Sequence, residues 1–321
     1  CHIQSEIMRD NFLTVGVGYN LTESMIIFWA YQGDPMRQSM LSDEQTRLLA
    51  EEKETLSDIL MRLSEIDLSK EALATLQKAT LQLNELFLIV VVGEFNAGKS
   101  ALINALLGEK VLTEGVTPTT TRVTLLKWGE KLSENIYDET FSVITYPLPL
   151  LKELNIVDSP GTNAIIRMHE QLTNEFVPRS DLVLFTTSAD RPLTESERQF
   201  LGRILAWGKK VIFVLNKADI LEDTHQLQET KDFIIKHVTL TLGEPPVLIP
   251  VSARFAQRAA LETEETERLR LRSASNFDEL EQYISVSLDD ATRLQLKLKN
   301  PLGVAENLVD QAENLVKTQS N

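Results

Sequence analysis

Residues 93–100 read GEFNAGKS, with Gly93, Gly98, Lys99 and Ser100 at the intervals of the pattern G-x-x-x-x-G-K-[ST]. That pattern cradles phosphate. Its glycines let the backbone wrap tightly enough for successive N–H groups, here from Asn96, Ala97 and Gly98 through Ala101, to point at phosphate oxygens. A lysine at position 99 reaches the β- and γ-phosphates, and the hydroxyl of Ser100 can bind Mg²⁺.

Three further motifs follow in order. LNIVDSPGTN places Asp158 at the end of an apolar run and Gly161 just after it. A carboxylate there can hold the Mg²⁺ shell through water, and the Gly161 N–H can meet a γ-phosphate. KKVIFVLNKAD ends in Asn216, Lys217 and Asp219. A carboxylate at position 219 can accept from the N1–H and the exocyclic amine of guanine, whereas adenine offers no such pair of donors. Leaving that carboxylate unpaired against the wrong base costs about 1–3 kcal/mol. VLIPVSAR then supplies Ser252, Ala253 and Arg254, whose backbone N–H groups are expected to meet the guanine O6. The predicted ligand is therefore GTP or GDP with Mg²⁺, rather than ATP.

Catalytic roles are less fully specified. In EGVTPTTTRVT a threonine is expected to close over Mg²⁺ when the γ-phosphate is present. Thr117 and Thr120 are the candidates, with Thr120 joining Ser100 and Asp158 in the metal set, and spacing does not choose between them. A β-branched strand entrance with a proline stop would account for most of these threonines. Where small GTPases carry a water-orienting glutamine, this chain has Thr162. Asn96 has two readings. It resembles the asparagine of GTPases that recruit K⁺ beside the phosphates, where a cation stabilises charge on the transferring group; or it pins the loop through side-chain hydrogen bonds. Lys99, Ser100, Thr117, Thr120 and Asn96 form the catalytic set.

Positioning these residues requires alternating strands and helices. Apolar runs predict strands over 87–92, 123–127, 141–146, 154–157, 182–187, 211–215 and 247–251. Helices are predicted over 101–107, stopped by Gly108, and over 195–207, opened by the capping box TESE and closed by Gly208. Another is predicted over 277–288 with Asn276 as N-cap. This alternation predicts an α/β P-loop domain, its sheet mostly parallel with helices on both faces. Around it lie amphipathic segments. SDEQ at 42–45 is a second capping box, followed by Leu49, Leu56, Leu60, Leu63 and Ile66 at helical spacing, and a further helix is expected over 70–83. At the far end Asn300-Pro301 reads as an N-cap and first-turn proline before Ala305, Leu308, Ala312 and Leu315. These flanking helices either bury their stripes against each other as a bundle or pack separately on the sheet. The expected division is 1–41 unassigned, 42–84 bundle helices, 85–290 nucleotide domain and 291–321 C-terminal bundle helix. ETEETERLRLR reads as a solvated helix or loop with a Glu264–Arg268 pair.

Composition narrows the function classes. The 321 residues are 43% hydrophobic with a net charge of −15, enough for a real core. The charge argues against nucleic acid as a partner and against docking on anionic lipid by charge alone. A single cysteine, Cys1, excludes an internal disulfide or a cysteine-built metal cluster. Apolar stretches such as MIIFWAY are too short to span a bilayer. The chain starts at Cys1 rather than Met, so a piece of a longer protein is expected.

GEFNAGKS, GVTPTT, DSPGTN, SADRPLTESE and NKAD together resemble the dynamin superfamily, most of all the bacterial dynamin-like proteins and the fuzzy-onion-like dynamin-related protein of chloroplasts. The likeness spans about residues 86–288. It implies a large GTPase that dimerises through its GTPase face, stimulates hydrolysis in doing so and remodels or fuses membranes. It also implies a helical bundle that swings with nucleotide state, and a loop in which Asp190 and Arg191 reach the partner's nucleotide. Location follows the same likeness: chloroplast membranes in a photosynthetic eukaryote, or the bacterial cytoplasm and inner membrane. Phe95 stands where classical dynamins carry a glutamine, so their water-positioning mechanism does not transfer. No trunk, paddle or transmembrane hairpin is legible, so membrane contact is expected outside these residues. Two other classes share the motifs: a ribosome- or RNA-associated assembly GTPase, and a GTP-binding switch with negligible hydrolysis.

Overall fold

Runs of Val, Ile, Leu and Phe too apolar for a solvated face must be covered on both sides, and in the computed structural model they form the centre of one sheet. The model describes residues 43–66, 68–81, 83, 85–115, 122–160, 172–287 and 290–319. The elements below belong to the unit Gln45–Asn321, with α1 starting just before it. Residues 1–41, Ser42 of the SDEQ capping box, Thr117, Thr120, Gly161, Thr162 and Leu288 lie outside the described residues.

In chain order the elements are α1 (Asp43–Ser64), α2 (Lys70–Leu81), β1 (Phe87–Gly93), α3 (Lys99–Leu107), β2 (Val123–Trp128), β3 (Ser133–Ile136), β4 (Phe141–Tyr146), β5 (Leu154–Asp158) and β6 (Leu182–Ser188). Then come α4 (Glu195–Leu205), β7 (Val211–Asn216), α5 (Thr224–Leu242), β8 (Leu248–Pro250), α6 (Ala253–Leu261), α7 (Glu265–Ser275), α8 (Phe277–Ser287) and α9 (Asp290–Gln319). The strands lie in the order β3-β4-β2-β5-β1-β6-β7-β8. All neighbours are parallel except β2 with β5 and β3 with β4. Phe87, Ile89 and Val91 pack with Leu102 and Ile103 of α3, Ala256 of α6, and Phe277 and Leu280 of α8. The alternate residues Leu88, Val90 and Val92 point to the opposite face and are equally buried.

Four expectations are corrected. An eighth strand, β3, was illegible because SENI is short and mostly exposed, with no buried face to impose alternation. Asn276 does not cap α8. It closes α7 with φ 50°, and the N–H of Phe277 donates instead to the Ser275 hydroxyl at 3.2 Å. Glu264 forms no pair with Arg268 but caps α7, accepting from the amides of Thr266 and Glu267, while Arg268 faces Glu265. Asn300-Pro301 does not start a helix, because α9 runs straight through it.

The last correction has a physical cause. Proline in a helix interior removes a hydrogen bond and costs about 3 kcal/mol. Here Asn300 is buried and donates to Asp181 Oδ1 at 2.8 Å, and Lys297 lies 3.3 Å from Asp181 Oδ2. Asp181 Oδ2 also accepts the Leu88 N–H at 2.8 Å, at the foot of β1. One buried carboxylate thus anchors α9 to the amino ends of β1 and β6. Two residues past Pro301, the backbone of Gly303 lies directly against Trp207 and Gly208, where a Cβ would come within 3.3 Å of two carbonyl oxygens. Beyond that contact, Val309, Ala312 and Val316 of α9 share one apolar groove with Leu63 and Ile66 at the end of α1.

Lys209 lies in the same region, donating to the Pro178 carbonyl at 2.6 Å. Burial pulls its pKa from 10.5 down to about 7, with Asp181 opposing and Lys297 assisting. Between those two values the unfolded chain holds a proton that the folded chain lacks, so stability rises with pH there. The expected slope is up to about 1.4 kcal/mol per pH unit. Denaturant melts of wild type and Lys209→Met from pH 7 to 9 check this: the slope should flatten in the variant.

Candidate functional site

The loops that follow β1, β5, β6, β7 and β8 all leave the same carboxyl edge of the sheet, because those strands are parallel and nearly level. Val91 pairs with Asp158, Gly93 with Thr186, Ser188 with Asn216 and Leu215 with Pro250. Ligands of open α/β sheets bind at that edge.

The loop from Gly93 to Gly98 is built around its glycines. A Cβ on Gly93, at φ 149°, would fall 2.0 Å from the Thr186 carbonyl oxygen. On Gly98, at φ 83°, it would fall 2.4 Å from Asn216 Nδ2. Neither position admits a side chain. Asn96 has φ 67°, a left-handed conformation that asparagine tolerates well. Its exposed side chain makes no hydrogen bond among the described residues, so loop pinning finds no support there.

Lys99 opens α3 and is 6% exposed, its ammonium donating to the Glu94 carbonyl at 3.0 Å. Burial lowers its pKa, against the pull of Asp158, Glu197 and Glu94. Ser100 donates to Asp158 Oδ2 at 2.8 Å. A hydroxyl and a carboxylate brought together at a helix start and a strand end are the hard oxygen donors that Mg²⁺ selects.

On the base side, Asp219 is nearly closed to solvent. Its Oδ1 accepts from the Ser252 hydroxyl at 2.5 Å, and its Oδ2 pairs with the Arg254 guanidinium at 2.5 Å. Asn216 is the joint of the site. Its Nδ2 donates to Ala97 O at 2.9 Å and Gly98 O at 3.3 Å, while its Oδ1 accepts from the amides of Lys217 and Ala253. One side chain therefore ties the glycine loop to the loop after β8. The Ser252 N–H donates to Ser275 O and the Ala253 N–H to Asn216, which narrows the expected amide contacts to the O6 of guanine. Arg254 N–H remains, in the first turn of α6, where helix amides have no internal acceptor.

Asp190 and Arg191 are exposed in the loop after β6. Burial pushes the Asp190 carboxyl up, but the Ser188 hydroxyl and the Lys217 ammonium outweigh it and hold the carboxyl below its ordinary range. Lys217 lies 3.3 Å from Asp190 Oδ1, and the Ala189 N–H donates to Asn216 O at 2.9 Å. Sequence reasoning named Asn216 and Arg254 but missed the bridging of the first and the ion pair of the second. It also missed Glu197, whose only legible signal was its place in the capping box.

The family described as 50S ribosome-binding GTPase matches residues 88–217. A probable transmembrane GTPase, FZO-like and chloroplastic, of Arabidopsis thaliana is 40% identical over 297 residues, covering 86% of this chain and 33% of that protein. A bacterial dynamin-like protein of Nostoc punctiforme is 27% identical over 205 residues, covering 49% of this chain and 29% of that one. A solved structure described as an oligomerised bacterial dynamin pair aligns with TM-score 0.58 at 21% identity, over 87% of this chain and 49% of that chain. The last shows likeness of fold alone. The chain thus spans a third or less of these two relatives. It holds a P-loop GTPase domain and is similar to the FZO-like and bacterial dynamin-like proteins.

Proposed function

We propose that this chain is the GTP-binding and GTP-hydrolysing part of a dynamin-like membrane-remodelling protein, in which catalysis is completed when two GTPase faces meet. The observation that carries this reading is the convergence, on one sheet edge, of the Lys99 ammonium, the Ser100–Asp158 oxygen pair and the buried Asp219 carboxylate. GTP would lie with its triphosphate in the 93–100 loop and its base against Asp219. Lys99 would exchange the Glu94 carbonyl for phosphate oxygens. Ser100 and Asp158 would hold Mg²⁺, which when bound supplies positive charge beside the transferring phosphoryl group. Thr117 or Thr120 would close over that ion, and the Gly161 amide would meet the γ-phosphate. Asn96, exposed and without an internal partner among the described residues, is suited to a K⁺ site.

The loop bearing Asp190 and Arg191 is exposed beside the site, which supports its role in pairing with a second copy. Among the described residues no helix is long and apolar enough to cross a membrane. By the likeness to its relatives, membrane contact is assigned to regions outside this chain, in a chloroplast or a bacterium. The nucleotide domain is assigned to 85–290, flanked by bundle helices over 42–84 and 291–321. The family match over 88–217 favours ribosome association as a second reading. Against it, the −15 charge offers no general attraction for RNA.

Asp219→Asn tests the guanine assignment. It is expected to weaken GTP binding about tenfold to a hundredfold and to shift preference toward xanthosine triphosphate, whose C2 carbonyl accepts from the new amide. Competition titrations with GTP, ATP and xanthosine triphosphate read this out. An unchanged preference for GTP over ATP in the variant would count against the assignment.

A further inference from the structure

Glu197 lies in the first turn of α4 and its carboxylate is among the most buried in the chain, 1% exposed. Capping α4 needs only the exchange with Thr194: the Thr194 N–H donates to Glu197 Oε2 at 3.0 Å, and the Glu197 N–H returns to the Thr194 hydroxyl at 3.3 Å. The carboxylate does more. Its Oε1 accepts the Glu94 N–H at 3.3 Å, the amide directly after Gly93 in the phosphate loop. Its Oε2 also accepts from the Thr187 hydroxyl at 2.9 Å, and Thr187 in turn accepts the Leu193 N–H at 2.9 Å.

Leu193 ends the exposed turn that carries Asp190 and Arg191. It has φ 53°, a left-handed conformation that a branched side chain adopts only where its surroundings hold it there. Thr187 and the burial of the leucine side chain supply that hold. The carboxylate also adds negative potential at Lys99, one of three that favour its charged form against burial. A single side chain thus fixes the start of the phosphate loop, the end of β6 and the far end of the 188–194 turn.

We propose that Glu197 is a positioning residue of the nucleotide site, bracing the phosphate loop and the loop bearing Asp190 and Arg191 into one body, so that the partner-facing loop follows the state of the nucleotide. This rests on the reading of 93–100 as the GTP site. Movement of the phosphate loop around a triphosphate is carried by the Glu94 amide to Glu197, and from there through Thr187 to Leu193. Without the brace the two loops settle independently, and a partner meets a poorly placed Asp190.

The test uses the full chain. GTP titration of wild type and Lys99→Ala comes first: if wild type fails to bind, or both bind alike, the nucleotide reading fails rather than the brace. With that reading secured, Glu197→Gln keeps size but brings an amide N–H₂ against groups that donate. It is expected to lower turnover at saturating GTP about tenfold, with a smaller change in KM, and to blunt the rise of turnover with protein concentration. Thr194→Ala removes the cap hydroxyl yet keeps the amide that Glu197 accepts, and should stay near wild type. Equal losses in Glu197→Gln and Thr194→Ala would reduce Glu197 to a helix cap and overturn the proposal, as would wild-type turnover in Glu197→Gln. Should Glu197→Gln not fold, Thr187→Val cuts the same path and should lower turnover, with Thr187→Ser restoring it. Full turnover in Thr187→Val would overturn the proposal equally.

Discussion

Replacing Lys99 with alanine is expected to abolish GTP binding at micromolar nucleotide and to reduce turnover by about a hundredfold to a thousandfold where any binding is forced. The size of the effect follows from its surroundings. The ammonium sits in a nearly closed position, with Asp158, Glu197 and Glu94 around it, and all three favour its charged form. Removing it takes away the cation that meets the phosphates and leaves those carboxylates facing a highly charged triphosphate. Repulsion is then added to lost attraction, and the low local dielectric magnifies both. Calorimetric titration with GTP checks this, alongside a melt to show that the variant is folded. Wild-type affinity in the variant would remove the 93–100 loop from the site.

The second large effect concerns stability. Asp181 is 1% exposed and accepts from the Leu88 amide, Asn300 and Lys297, all of them donors. Asp181→Ala takes the carboxylate away from the nearly buried Lys297 ammonium, which also reaches the Leu86 carbonyl, and from two buried donors, a change expected to cost about 3–5 kcal/mol. For a unit of this size that lowers the melting temperature by about 10 °C. Because the same carboxylate holds α9 at its interior proline, the loss should appear first as release of the C-terminal helix, seen as earlier cleavage near Pro301 in limited proteolysis. A melting temperature within a degree of wild type would show that the buried cluster does not hold α9.

Much of the architecture is legible in residue pattern. The apolar runs preceding GEFNAGKS, DSPG, SADRPLTESE and NKAD become neighbouring parallel strands, because each is buried on both faces and ends at a loop built for backbone contacts. The capping box TESE forms as read, since both of its bonds are local. What escaped depends on contacts between distant parts of the chain. Asn300-Pro301 carries the signature of a helix start, yet Asp181, far away in sequence, makes a continuous helix the better solution. Asn276 resembles an N-cap in sequence, but its left-handed backbone and the hydroxyl of Ser275 assign it to the preceding helix. Glu197 looks like a capping residue and no more, because the phosphate loop that it touches is brought to it only by the pairing of β1 with β6. Strand β3 offers four mostly exposed residues and no periodicity to detect.

The central claim is that this site hydrolyses GTP and that a second copy completes it. GTP turnover per molecule across a hundredfold range of protein concentration, in K⁺ and again in Na⁺, tests it most directly. Turnover should rise with concentration, flatten when Asp190 and Arg191 are replaced by alanine, and fall in Na⁺ if Asn96 serves a cation. Turnover that stays slow and flat at every concentration in both salts would contradict the claim and leave a GTP-binding switch.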